Sequence, residues 1–224
     1  DYSGSRGLGD VYKRQIMYSV KEIFFTIQGE GCNAGKYAVF CRFSGCNLWS
    51  GREQDRKKSI CTFCDTDFIG TSGVNGGKFK NPKDLALKAI SLWRGKQKPL
   101  IVLTGGEPLL QVNELLVKEL HRVGFKIAIE TNGTIKAPEN IDWICVSPKE
   151  NTKIEQTYGD ELKLVFPQKK IKPKDFENLK FKNFLLQPMD GPEIKKNTIS
   201  ARKFCNDNNN WKLSLQTHKI FGYP

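Results

Sequence analysis

Nowhere in the 224 residues is there a stretch of about eighteen uninterrupted apolar side chains, so no segment reads as a membrane-spanning helix. Runs of like charge are also lacking. Lys and Arg outnumber Asp and Glu by 36 to 24, for a formal net charge of +12, but the basic residues are scattered through expected helices and loops. That pattern suits a solvated, lysine-rich surface better than a nucleic-acid face. The first sixteen residues, 1–16, are glycine-rich and basic and lack the apolar segment of a signal peptide. They are expected to be a non-native or disordered leader, with Met17 the true start and 17–224 a single domain. Cysteine is present but does not pair off: there are seven, an odd number, three of them clustered. That argues against a disulfide framework and for metal ligation in a reducing, cytoplasmic compartment. A hydrophobic content of 38% with 11% aromatics is enough for one ordinary globular core.

The cluster organises the chain. Cys46 is followed by a polar spacer, 50–60, and then by Cys61-Thr-Phe-Cys64-Asp-Thr66, so fourteen residues part the first thiol from a Cys-x2-Cys pair. Four thiolates would close a zinc site or fill every iron of a cubane. Three leave one iron of a four-iron cluster without a protein ligand, and a substrate or cofactor can bind there. Cys41 alternates with Phe40 and Arg42 in an expected strand and reads as core, as Cys145 and Cys205 read as core or helix packing. Cys32 falls in a turn and is set aside as a ligand.

Strands are expected at 20–27 and 37–43, joined as a hairpin, and then at 98–104, 126–130, 143–146, 162–166, 183–186 and 211–216. Helices are expected from an Asn81 cap with Pro82 at the first position, and at 112–123, 173–179 and 194–206. About six parallel strands with helical crossovers make an α/β fold, a partial, incomplete TIM-like βα barrel. Gly105-Gly106-Glu107-Pro108, Glu130-Thr-Asn-Gly133, Ser147-Pro148-Lys149 and Gln187-Pro188-Met189-Asp190 each follow a strand's last apolar residue. In a parallel fold such positions share one rim, where ligands bind. The two glycines let a ligand approach the main chain; Glu107 either receives an ammonium group or sits at a helix N-terminus.

Together these motifs resemble the radical S-adenosylmethionine (SAM) enzymes and, within them, the 7-carboxy-7-deazaguanine synthase family of queuosine biosynthesis. The resemblance spans nearly all of 17–224. It rests on Phe24-Phe-Thr-Ile-Gln28-Gly-Glu30-Gly, Phe40-Cys-Arg42-Phe-Ser-Gly-Cys46-Asn-Leu, Cys64-Asp-Thr66, the four rim motifs and the terminal Gln216-Thr-His-Lys. It implies a 4Fe–4S cluster on Cys46, Cys61 and Cys64, with SAM on the open iron. Implied SAM contacts are Phe63, Cys64, Asp65, Gly106, Glu107, Ser147, Pro148, Lys149, Gln187, Pro188, Met189 and Asp190, with Glu107 on the methionine ammonium. Thr66 matches a magnesium contact. Ile27, Gln28, Gly29, Glu30, Arg42, Thr104, His218 and Pro224 match substrate positions, Pro224 as a chain end whose carboxylate reaches the site.

The implied reaction turns 6-carboxy-5,6,7,8-tetrahydropterin into 7-carboxy-7-deazaguanine and ammonia by radical ring contraction, with SAM used catalytically. The implied partners are a reductant such as flavodoxin or ferredoxin, and a second copy in a homodimer. A carboxylated pterin needs a cation for its carboxylate and acceptors for its N–H edge, and Arg42 with Glu30 or Gln28 supplies both kinds. The departure is the fourteen-residue spacing, where radical SAM proteins most often show three intervening residues. Two other readings use the same thiols: a glycyl-radical activase, which needs no pterin pocket, and a zinc-dependent nucleic-acid-binding module.

Overall fold

A computed structural model describes residues 17–224; the expected leader, 1–16, lies outside the described residues. Strand β1 (Tyr18–Ile27) pairs antiparallel with β2 (Tyr37–Phe43), the expected hairpin. The short β3 (Gly77–Phe79) lies along the outer edge of β1. Strands β4 (Leu100–Gly105), β5 (Lys126–Thr131), β6 (Trp143–Val146), β7 (Tyr158–Phe166), β8 (Lys180–Pro188) and β9 (Trp211–Leu213) complete a nine-stranded sheet in the order β3-β1-β2-β4-β5-β6-β7-β8-β9. The edges β3 and β9 do not meet, so the barrel is partial as expected. Its parallel block has seven strands, β2 and β4 to β9, because β2 also pairs parallel with β4. The hairpin thus supplies the first barrel strand, which a reading of local alternation does not reveal.

Helix α1 (Glu53–Arg56) is a single turn in the loop after β2. Helix α2 (Pro82–Ile90) starts as its sequence dictates: the Asn81 side chain accepts the Asp84 N–H at 2.9 Å, and Pro82 fills the first position. Asn113 caps α3 (Glu114–Arg122) in the same way. Helix α4 (Ile194–Asp207) joins β8 to β9. The connections from β5 to β6 and from β6 to β7 carry no helix, and 173–179 holds only a 3-10 turn, Pro173–Phe176. Seven residues with two apolar side chains cannot repay helix nucleation, and the turn suffices to bury Phe176. The last strand stops at Leu213, and 217–221 coils into α5 (Thr217–Phe221) instead of trailing as a tail.

The two faces of the sheet separate by the period of two. Val39, Cys41, Phe43, Ile101, Leu103, Ile127 and Ile129 face Leu85 and Ala89 of α2 and Leu116 and Leu120 of α3. Leu162, Leu164, Leu186 and Trp211 pack on Ala201 of α4. Each fully buried Val, Leu, Ile or Phe among them stabilises the fold by about 1.5–3 kcal/mol. The other face has only a small apolar patch, Ala38, Val102 and Ala128, with Phe40, Leu100 and Trp143 against it. Above that patch its side chains turn polar, and there the cavity opens.

Candidate active site

A cavity of about 410 Å³ lies on the polar face, at the C-terminal ends of the parallel strands. After β2 the chain turns through Gly45 at φ +88° and presents Cys46. The Glu107 N–H donates to the Gly45 carbonyl at 2.9 Å and the Gly106 N–H to that of Phe43 at 3.2 Å. A Cβ on Gly106 would lie 2.9 Å from Cys46 Cβ, so this glycine lets the two loops touch backbone to backbone. The fourteen-residue spacer is tied to itself. The Leu48 carbonyl accepts the N–H groups of Ile60 and Cys61 at 3.1 and 3.2 Å, which brings the chain back to the second thiol. Arg56, 4.0 Å above the Trp49 ring, donates to the carbonyls of Thr62 and Cys64 at 3.2 and 2.9 Å.

Cys46, Cys61 and Cys64 all line the cavity. Burial pushes each thiol up, and their mutual proximity adds to this. Opposing it, backbone N–H groups of Leu48 and Trp49 point at Cys46, that of Phe63 at Cys61 and that of Thr66 at Cys64. The Lys149 charge also favours the thiolates of Cys61 and Cys64. Its ammonium is held at 2.7 Å by both the carbonyl and the hydroxyl of Ser147. Three thiols, each met by a backbone N–H, around one opening are a donor set that fits a thiolate-bound iron–sulfur cluster. Among the described residues no three His, Cys, Asp or Glu side chains converge on a point as a single ion requires.

At the opposite end a charged network forms the floor. Lys163 of β7 donates to Glu30 Oε2 at 2.6 Å and to Glu130 Oε2 at 3.1 Å. Gln28 donates to Glu130 Oε1 at 2.8 Å and accepts the Glu30 N–H at 3.0 Å. Burial alone would raise the Glu30 carboxyl, but the charge and hydrogen bond of Lys163, with Gln216 and Gln187, hold it down at about 2. Arg42 pairs with Glu22 at 2.8 Å and lies 6.0 Å from the Phe24 ring. Over the opening runs the chain after β9: Gln216 donates to Glu30 at 2.9 Å, and Lys219 bridges Asp65 at 2.5 Å and Asp190 at 2.6 Å.

Every residue expected at the site lines this cavity except Glu107 and Pro148. Glu107 is fully buried and accepts the N–H groups of Leu109 and Asn132 and the Thr131 hydroxyl, at 3.0, 2.7 and 2.8 Å. It binds the Gly105–Pro108 turn to the end of β5. Cys41 is buried on the helix face and Cys32 is exposed, in the 3-10 turn Gly31–Asn33. Lys163 was not singled out from the sequence, and Glu130, Gln216 and Lys219 entered only as members of motifs without a role of their own, yet all four line the cavity. The signal for Lys163 was available: Glu161-Leu-Lys163-Leu alternates charge with leucine, the pattern of a strand with one polar face.

An incomplete parallel barrel with three thiols at the C-terminal rim and a polar floor defines a radical SAM enzyme. The Radical SAM superfamily model matches residues 57–146, a span holding Cys61, Cys64 and the Gly105–Pro108 turn. The 7-carboxy-7-deazaguanine synthase of Caulobacter vibrioides is 60% identical over 210 residues, covering 93% of this chain and 100% of that protein. That of Burkholderia multivorans is 54% identical with the same coverage. The crystal structure of QueE from Escherichia coli matches with a TM-score of 0.66 at 25% identity, covering 89% of this chain and 94% of that one. This chain belongs to the 7-carboxy-7-deazaguanine synthase family, whose radical SAM chemistry implies a 4Fe–4S cluster and SAM. Among the described residues no helix is long and apolar enough to cross a membrane.

Proposed function

We propose that the chain converts 6-carboxy-5,6,7,8-tetrahydropterin to 7-carboxy-7-deazaguanine and ammonia. The observation that carries this reading is one cavity with a thiol triad and Arg42 at the C-terminal ends of its strands and with Glu30 and Glu130, bridged by Lys163, at its floor. A guanidinium meets a carboxylate and two carboxylates meet N–H donors, which matches a carboxylated pterin from both ends. When bound, the cluster and SAM would supply the one-electron, hydrogen-atom-transfer chemistry that the ring contraction needs.

The protein's part is to hold, orient and exclude. Cys46, Cys61 and Cys64 carry the cluster. Phe63, Asp65, Gly106, Ser147, Lys149 and the run Gln187 to Asp190 border SAM. Arg42 anchors the substrate carboxylate, while Gln28, Gly29, Glu30, Thr104, His218 and Pro224 surround its ring. Thr66 would offer its hydroxyl to Mg2+, a hard cation that would have to take its other oxygen ligands from outside this side chain. The 216–219 segment over the opening keeps water and stray hydrogen donors out. A reductant such as flavodoxin or ferredoxin and a second copy of the chain complete the working enzyme.

The test is anaerobic: reconstitute with iron and sulfide, add SAM, Mg2+, reductant and the pterin, and follow products by mass spectrometry. Deazaguanine product without matching SAM consumption is expected. SAM cleavage with the pterin intact rejects the substrate.

A further inference from the structure

We propose that Lys163 is a positioning residue. By pairing with Glu30 and Glu130 at once, it fixes two carboxylates as a matched pair of acceptors that selects the 2-amino, ring N–H edge of the substrate. The proposal rests on the pterin reading above and adds to it the device that sets substrate specificity.

The observations are geometric. The Lys163 side chain is 4% exposed and lies between the two carboxylates, at 2.6 and 3.1 Å. Glu130, Cys145 and Glu161 stand in one row across β5, β6 and β7, and Lys163 is the next residue up on the same face. The charged and titratable groups acting on the ammonium are therefore Glu130, Glu30, Cys145 and Glu161, three carboxyls to one cation. Burial disfavours the ammonium, but Glu130 and Glu30 outweigh this and keep it charged.

Satisfaction of the lone pairs indicates what the carboxylates are for. Glu30 accepts from Lys163, Gln216 and Gln187, and Glu130 from Lys163 and Gln28. A carboxylate has about four acceptor sites, so about one stays free on Glu30 and about two on Glu130, both beside the cavity. Two ionised acceptors at fixed separation suit adjacent N–H donors on a flat ring, and an analogue lacking one donor leaves a buried charge unpaired. Gln28 spends its amide on Glu130 and the Glu30 backbone, so it supports the acceptors instead of adding to them.

The experiment compares wild type, Lys163→Met and Lys163→Arg in the reconstituted holoenzyme. It reads KM and kcat for the pterin, SAM affinity, and inhibition by the pterin relative to an analogue lacking the 2-amino group. Lys163→Met is expected to raise KM by about tenfold to a hundredfold, the scale of hydrogen bonds to charged groups. SAM affinity should hold, and discrimination against the deamino analogue should collapse. Lys163→Arg should restore part of that discrimination, which a purely structural lysine would not require. If Lys163→Met cannot fold around unpaired carboxylates, Lys163→Gln removes the charge but leaves a donor to one carboxylate and is read in the same way. Wild-type KM and wild-type discrimination in whichever charge-removing variant folds overturn the proposal. A wild type that cleaves SAM and leaves the pterin intact overturns the substrate reading and this proposal with it; normal wild-type turnover with indifferent variants overturns the Lys163 role alone.

Discussion

Gly29 and His218 meet where no side chain fits between them: a Cβ on Gly29 would lie 2.7 Å from both the Cβ and the backbone nitrogen of His218. The Gly29 carbonyl accepts the Thr217 N–H at 3.0 Å and its hydroxyl at 2.9 Å, so α5 is seated on this one glycine. Gly29→Ala should push α5 off its seat. Overpacking costs about 1–3 kcal/mol in a packed core. Here α5 has no buried residue, so the strain is expected to appear as local loosening. KM for the pterin should rise about tenfold while the melting temperature moves by only a few degrees. A large loss of melting temperature with unchanged KM would place the strain in the core instead.

Glu107 is expected to hold the rim together. Its replacement by Ala leaves the N–H groups of Leu109 and Asn132 and the Thr131 hydroxyl without their acceptor. With about 1–3 kcal/mol for each buried group left unsatisfied, the loss should be on the order of 3 kcal/mol or more. Urea unfolding of the cluster-free protein measures it. A substitution with no effect on stability would show that Glu107 serves a bound ligand only.

Much of this was legible in the sequence, for identifiable reasons. Asn81-Pro82 announced α2 because a side-chain acceptor and a proline are what the first helical turn requires. The rim motifs announced the cavity because in a parallel sheet every strand ends on the same side. The parallel pairing of β2 with β4 was not legible, since it joins residues about sixty apart across the cluster loop. Of the two readings of Glu107, the helix N-terminus holds: it caps the 3-10 turn Pro108–Leu110 by accepting the Leu109 N–H, while its other two donors, Thr131 and Asn132, come from the end of β5 and were not legible. Lys163 was missed because a lysine between leucines is ordinarily a surface residue, and only the neighbouring strands reveal the carboxylates that bury it.

The same ion pair sets an acid limb on stability. The Glu30 carboxyl lies at about 2 in the folded chain against 4.5 ordinarily, so the folded state binds its proton less readily than the unfolded one. Its stabilisation is fully present above pH 4.5 and is lost as pH falls toward 2. Stability of the cluster-free protein should therefore decline through that window. In Glu30→Gln the decline should be shallower from a lower starting point. Parallel pH profiles for the two proteins would remove Glu30 as its source.

The last prediction separates the thiols. Cys61 lines the cavity, and its return to the rim depends on the Leu48 carbonyl and on Arg56. Cys32 lies outside that cavity, and its own N–H donates to Glu161 at 2.8 Å. Partial desolvation of this otherwise exposed side chain and the Glu161 charge push its thiol up to about 11, which disfavours the thiolate a metal needs. Cys41 points to the opposite face of the sheet, among Val39, Phe43 and the helices. Cys61→Ala leaves a cluster with two protein thiolates. It should lose at least the roughly tenfold in metal affinity that mutation of even an outer-shell partner produces. Cys32→Ala should retain wild-type iron and the wild-type visible spectrum. Iron and acid-labile sulfide assays on the two variants decide it, and a full complement of iron in Cys61→Ala together with a deficit in Cys32→Ala would exchange their roles.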